Sequence, residues 1–219
     1  MTSMFVALAV AAAVSPSGHW EGTLETPQSS IAFQVDIAQV DGALAGAISI
    51  PQQHVKELPL TTIIMDGTSI TFGARSDQLL SGDVDAAGTA IAGTYSAGPY
   101  SFPFTLKRTG DATIAPPPTS ARVDSDLEGT WRGVLGDTAG ELHLVLTMTN
   151  TPDGRAIATV VNEDEGGVRL PVVVSRQGRA VTIASHVVES SFTGELNARG
   201  EIVGTFHQGA AEIPLTFRR

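Results

Sequence analysis

Five histidines are spread along a chain of 219 residues, at His19, His54, His143, His186 and His207. Imidazole is the side chain best placed to hold a metal or move a proton near neutral pH. None of the five falls in a His-x-His or His-Glu-x-x-His pattern, so spacing sets no two of them around one ion. They read as surface or turn residues. Asp83-Val84-Asp85-Ala86-Ala87-Gly88 begins like a calcium loop, but its fifth position is alanine and no glutamate stands at the twelfth, which leaves a plain β-turn as the expectation. Glu163-Asp164-Glu165 could hold calcium at a loop tip, although a solvated charge run is the simpler reading. No Gly-x-Ser-x-Gly elbow and no Ser-x-x-Lys occurs, so neither an α/β-hydrolase nor a penicillin-binding type of nucleophile can be placed. No pair of carboxylates is singled out by spacing. The expectation is a protein that is not an enzyme and that carries no cofactor and no metal.

Bulk composition narrows the rest. Cysteine is absent, which removes disulfides, thiolate zinc sites and cysteine nucleophiles together. The formal charge is −10 and is spread evenly, with nine acids against four bases over 18–110 and twelve against eight over 126–219. Neither half has a basic stripe able to replace the counterions of a phosphate backbone, so nucleic acid is not an expected partner. Met4 to Val14 is an uncharged run of mostly Phe, Val, Leu and Ala, and Ala11-Ala12-Ala13 fits a small-x-small cleavage site. We read residues 1–17 as the remnant of a signal peptide and expect a secreted or periplasmic protein, even though the basic start is missing. A buried strand or helix is the alternative. The run is too short to span a membrane, which takes about 20 apolar residues.

The elements that must position any site are written twice. Gly18-His19-Trp20-Glu21-Gly22-Thr23-Leu24 returns as Gly129-Thr130-Trp131-Arg132-Gly133-Val134-Leu135, and Gly93-Thr94-Tyr95 with Pro103 to Arg108 returns as Gly204-Thr205-Phe206 with Pro214 to Arg219. Ile31, Phe33, Val35 and Ile37 alternate with more polar neighbours, as Leu142, Leu144, Leu146 and Met148 do 111 residues later. That alternation is a strand with one face on a core. Asp41-Gly42 and Asp153-Gly154 supply hairpin turns. Leu58-Pro59-Leu60 and Leu170-Pro171-Val172 each place a proline that cannot donate to a ladder, which marks a bulge, corner or edge. About eight short strands per copy, with no helical period, make the protein all-β. Consecutive hairpins close most simply into two tandem, small, antiparallel, up-and-down β-barrels, with a pair of β-sandwiches as the alternative. The repeats cover 18–110 and 126–219. Residues 111–125, with Ala115-Pro116-Pro117-Pro118, read as an extended proline-rich linker.

Gly-x-Trp on the first strand of each copy, paired with Arg108 or Arg219 ending the last, resembles the lipocalin and wider calycin pattern. The resemblance implies that each arginine packs over its tryptophan and closes one barrel end, which makes Trp20, Arg108, Trp131 and Arg219 structural. A guanidinium can stack on an indole while satisfying nearby carbonyls. Trp-x-Gly-x-Leu, the Asp-Gly hairpin, the Leu-Pro pair and Gly-Thr-Phe206-His207-Gln208-Gly209 resemble, more closely, the small β module that precedes the catalytic domain of secreted bacterial α/β (serine) hydrolases. That resemblance implies a non-catalytic exported protein, binding or accessory beside such a hydrolase, with a partner protein. The alternative is a lipocalin-like carrier of a small apolar ligand, a lipid or fatty acid. The inner-face residues Phe33, Phe72, Tyr95 and Phe104, with Leu144, Ile183, Phe206 and Leu215 in the second copy, form core first and line the cavity if one exists. Oligomeric state is not readable from these residues.

Overall fold

The computed structural model describes residues 14–137 and 140–219, so most of the apolar start and the Ala11–Ala13 site lie outside the described residues. The first copy forms β1 (Gly18–Glu25), β2 (Ser30–Val40), β3 (Ala43–Ile50), β4 (Val55–Pro59), β5 (Thr62–Asp66), β6 (Ser69–Arg75), β7 (Gln78–Val84), β8 (Ala90–Ala97) and β9 (Tyr100–Gly110). A single 3-10 turn, Pro51–Gln53, joins β3 to β4. After β10 (Ser120–Ala121), the second copy forms β11 (Gly129–Asp137), β12 (Gly140–Asn150), β13 (Arg155–Asn162), β14 (Val168–Gln177), β15 (Ala180–Ser185), β16 (Ser190–Leu196), β17 (Ile202–Gln208) and β18 (Ala211–Phe217). All pairings are antiparallel and nearly all join consecutive strands, which is the up-and-down arrangement that the turn spacing predicts.

The two sheets close differently. In the first, β1 pairs with both β2 and β9, Trp20 lying opposite Val35 and Arg108, and the sheet stays open between β4 and β5. Those strands are consecutive in the chain. At the joint, Leu60 donates to the Gly46 carbonyl and Thr61 to that of Gly73, at 2.9 Å each, so the chain hands its hydrogen bonds from one neighbour to the other. The second sheet has one continuous strand there, β14, whose first half pairs with β13 and second half with β15. It is a nearly closed barrel, sealed where Arg132 and Arg218 exchange backbone hydrogen bonds of 2.6 and 2.8 Å.

The turns follow residue chemistry. Asp41 and Gly42 both take positive φ, 51° and 84°, the backbone of a two-residue hairpin turn. In the second copy Pro152 lengthens the loop, and only Gly154 has positive φ. Residues 14–17 belong to the first barrel, since the Trp20 indole donates to the Pro16 carbonyl at 2.9 Å and Val14 packs on the core. The end of the proline-rich segment likewise belongs to the second sheet. Ser120 and Ala121 pair with β13, the buried Ser120 hydroxyl accepts from the Val174 amide at 2.8 Å, and Val123 and Leu127 are buried.

The copies also touch. Ser76, in the β6–β7 turn, donates its amide to the Gly166 carbonyl in the β13–β14 loop at 2.9 Å, and its hydroxyl reaches the same oxygen at 3.1 Å. Reciprocally, the Lys56 amide on β4 donates to the Val187 carbonyl in the β15–β16 turn at 2.8 Å. A side chain at Gly166, where φ is +62°, would collide with the Asp77 carboxylate.

Candidate functional site

Along each inner face the side chains divide into a filled end and a hollow end. On β2, Val35 and Ile37 are fully buried beside Trp20, whereas Ile31 and Phe33 border open space. On β12, Leu146 and Met148 are fully buried, whereas Leu142 and Leu144 border the same space. On β9 the division falls between Phe104 and Phe102. The hollow ends meet at the junction of the copies and form one cavity of about 630 Å³, walled by residues of both. Its lining is predominantly apolar, and its volume is within the range of small-molecule sites.

Of the eight inner-face residues singled out from sequence, six line this cavity: Phe33, Tyr95, Leu144, Ile183, Phe206 and Leu215. Phe72 and Phe104 do not. They are fully buried, packed edge to face at 6.1 Å, and Phe104 meets Phe33 edge-on at 6.2 Å, so this aromatic cluster forms the floor under the first half of the cavity.

The opposite ends are plugged. Trp20 and Trp131 are wholly buried, with Arg108 5.9 Å and Arg219 4.7 Å from the ring centres. The Trp131 indole donates to the Leu127 carbonyl at 2.8 Å. Arg219 also donates to the carbonyls of Asp126 and Glu128, at 2.8 and 2.9 Å, which combines stacking with carbonyl satisfaction.

A polar cluster sits where the cavity meets the junction. The Arg75 guanidinium grips Asp77 with two hydrogen bonds of 3.0 Å, Nε to Oδ1 and Nη2 to Oδ2, and its Nη1 lies 3.5 Å from Glu165 of the second copy. That grip holds the Asp77 carboxyl below its ordinary range. Tyr95 donates its hydroxyl to Gln78 Oε1 at 2.8 Å, and burial raises its phenol pKa. Sequence reasoning missed this cluster. Arg75 and Asp77 flank a turn at a spacing that permits a pair, but Glu165 is ninety positions away and only the mutual placement of the barrels brings it near.

Several residues with the chemistry of catalysts or ligands are paired with neighbours. His19 is 3.0 Å from Asp36 and 3.4 Å from Glu21. Burial works against its charged form, yet the Asp36 hydrogen bond and charge, with Glu21 behind them, leave its pKa above the ordinary value. His143 pairs with Asp164 at 3.0 Å, and His207 meets Thr193 at 3.2 Å. Asp85 accepts from the amides of Thr89 and Ala90, the expected turn, and these bonds lower its pKa. The acidic run 163–165 is divided among three partners, Arg132, His143 and Arg75. Among the described residues no group of three or more His, Cys, Asp or Glu is gathered to hold an ion, and no helix is long and apolar enough to cross a membrane.

No protein-family model matches the chain, and no curated protein does. Among solved structures it is similar to a protein of unknown function from the DUF3598 family of Nostoc punctiforme, at 12% identity over 92% of this chain and 94% of that one, with a TM-score of 0.27. A likeness at that level says nothing of what either protein does.

Proposed function

We propose that this is an exported binding protein whose two barrels together hold one small apolar ligand, of the lipid or fatty-acid kind, without transforming it. The observation that carries this reading is the apolar cavity walled by both copies. Each methylene moved from water into such a lining gains about 0.8 kcal/mol, so an acyl chain of ordinary length supplies enough to offset the loss of its freedom. Export is supported by the apolar run before Val14. Cleavage after Ala13 would leave Val14 and Pro16 in the contacts described above. The likeness of the repeated motifs to the module preceding secreted hydrolases supports an exported setting too, and makes a partner protein the reading to pursue should the cavity prove empty.

Native mass spectrometry of the protein from its export compartment, followed by solvent extraction, tests this directly. We expect a stoichiometric small-molecule adduct, a mature chain starting at Val14, and loss of the adduct in Phe33→Trp and Leu144→Trp, which fill the cavity from opposite copies. Bare mass for a freshly isolated chain that also takes up no added lipid would overturn the ligand-holding reading.

A further inference from the structure

We propose that the cavity selects uncharged amphipathic ligands, those whose polar end is an alcohol, ester or acylglycerol, over free fatty-acid anions. This rests on the ligand-holding reading and narrows it. Among the described residues, only two of the cavity wall carry a formal charge, Arg75 and Glu165. The guanidinium is already committed. Asp77 takes its Nε and Nη2 at 3.0 Å each, and Glu165 stands 3.5 Å from Nη1. Two carboxylates beside one guanidinium leave the cluster with a net charge of −1, so a third carboxylate would share a cation that is already outnumbered. An incoming anion would lie beside Glu165 with its charge uncompensated, and withdrawing it from water is costly unless it is paired. The remaining polar groups suit a neutral head. Tyr95 and Gln78, hydrogen-bonded to each other beside Arg75, and Gln53, Ser190 and Gln208 near the other inter-copy contact, between Lys56 and Val187, offer amide and hydroxyl groups along the wall.

The experiment uses the full chain, stripped of endogenous lipid, and compares monolauroylglycerol with lauric acid, which share one acyl chain. Binding is read by calorimetry and by competition in native mass spectrometry, well above the carboxylate pKa. The glyceride should bind at least about ten-fold tighter, the order expected of one uncompensated like charge at a partly solvated site. Laurate binding as tightly or more so would overturn the selectivity and leave the ligand-holding reading standing. Failure of both to bind would overturn the two together. Glu165→Gln and Asp77→Asn each remove one carboxylate from Arg75 and should narrow the ratio several-fold by raising laurate affinity. Asp77 lies off the cavity wall, so its variant alters the charge without reshaping the wall. A ratio unmoved in both would overturn the assignment of selectivity to this cluster.

Discussion

Arg219 is bound to its surroundings by more than charge. It stacks on Trp131 and spans two backbone carbonyls, so Arg219→Ala should lower stability by about 1 kcal/mol in denaturant unfolding. Arg219→Lys should restore less than half of that, because an ammonium keeps the charge and loses the planar fork. An unchanged midpoint for the alanine variant would mean that packing alone holds the indole. His19 makes a pH-dependent contribution. Its folded pKa lies above the ordinary 6.5, so the stabilisation by Asp36 and Glu21 is complete below that value and fades as pH rises through the folded pKa. Melting curves of wild type and His19→Gln should therefore converge on going from mildly acidic to alkaline buffer. A gap that stays constant would rule the ionic account out. Asp36 also accepts from the Thr113 amide at 2.9 Å, so the same pair fastens the start of the linker to β2.

Equivalent strands tolerate change unequally. A Cβ at Gly22 on β1 would run into the backbone carbonyl of Thr105 on β9, while one at the matching Gly133 would press on the Leu215 and Phe217 side chains and the Thr216 carbonyl at 2.9 to 3.0 Å. Backbone cannot move aside as a side chain can. Gly22→Ala should cost toward the upper end of the roughly 1–3 kcal/mol typical of overpacking, and Gly133→Ala clearly less, by equilibrium unfolding. The strands themselves were legible, because an alternation repeated at a fixed spacing reports a buried face twice over. The break between β4 and β5 was not. Leu58-Pro59-Leu60 and Leu170-Pro171-Val172 read alike, and the difference arises from a bulge. Glu57 takes a positive φ of 53°, its amide turns to the Ser49 hydroxyl, and the β3–β4 register shifts. A change of partner along one strand leaves no trace in its hydrophobic pattern.

At the scale of the whole molecule, ligand should protect both copies at once. Hydrogen exchange with and without monolauroylglycerol is expected to slow amides around Phe33 and Tyr95 and equally around Leu144 and Phe206. Protection confined to one copy would mean that a single barrel holds the ligand and the junction is incidental. Six of the cavity residues were legible because an inward-facing strand position is core or lining whichever way the barrel fills. Which of the two each becomes is not written in the alternation, since Ile183 and Leu215, the equivalents of Phe72 and Phe104, line the cavity. Phe72 and Phe104 fell on the filled side, and the Arg75, Asp77 and Glu165 cluster needed the second barrel in place.

The junction has one more property. The β6–β7 turn of the first copy meets the β13–β14 loop of the second, and the corresponding β15–β16 turn meets β4 of the first, so each copy offers its partner the same pair of surfaces. This is the isologous contact of a two-fold homodimer, with both subunits threaded on one chain. In a true homodimer the two rims of the cavity would be identical and a bound molecule would meet the same chemistry at either end. Joining the subunits frees the rims to differ. Arg75, Asp77 and Glu165 occupy one of them, while the other, near the Lys56 and Val187 contact, has no such ion triad among its described residues. A ligand of the proposed kind would therefore meet different chemistry at its two ends, a direction that two identical halves could not have given it.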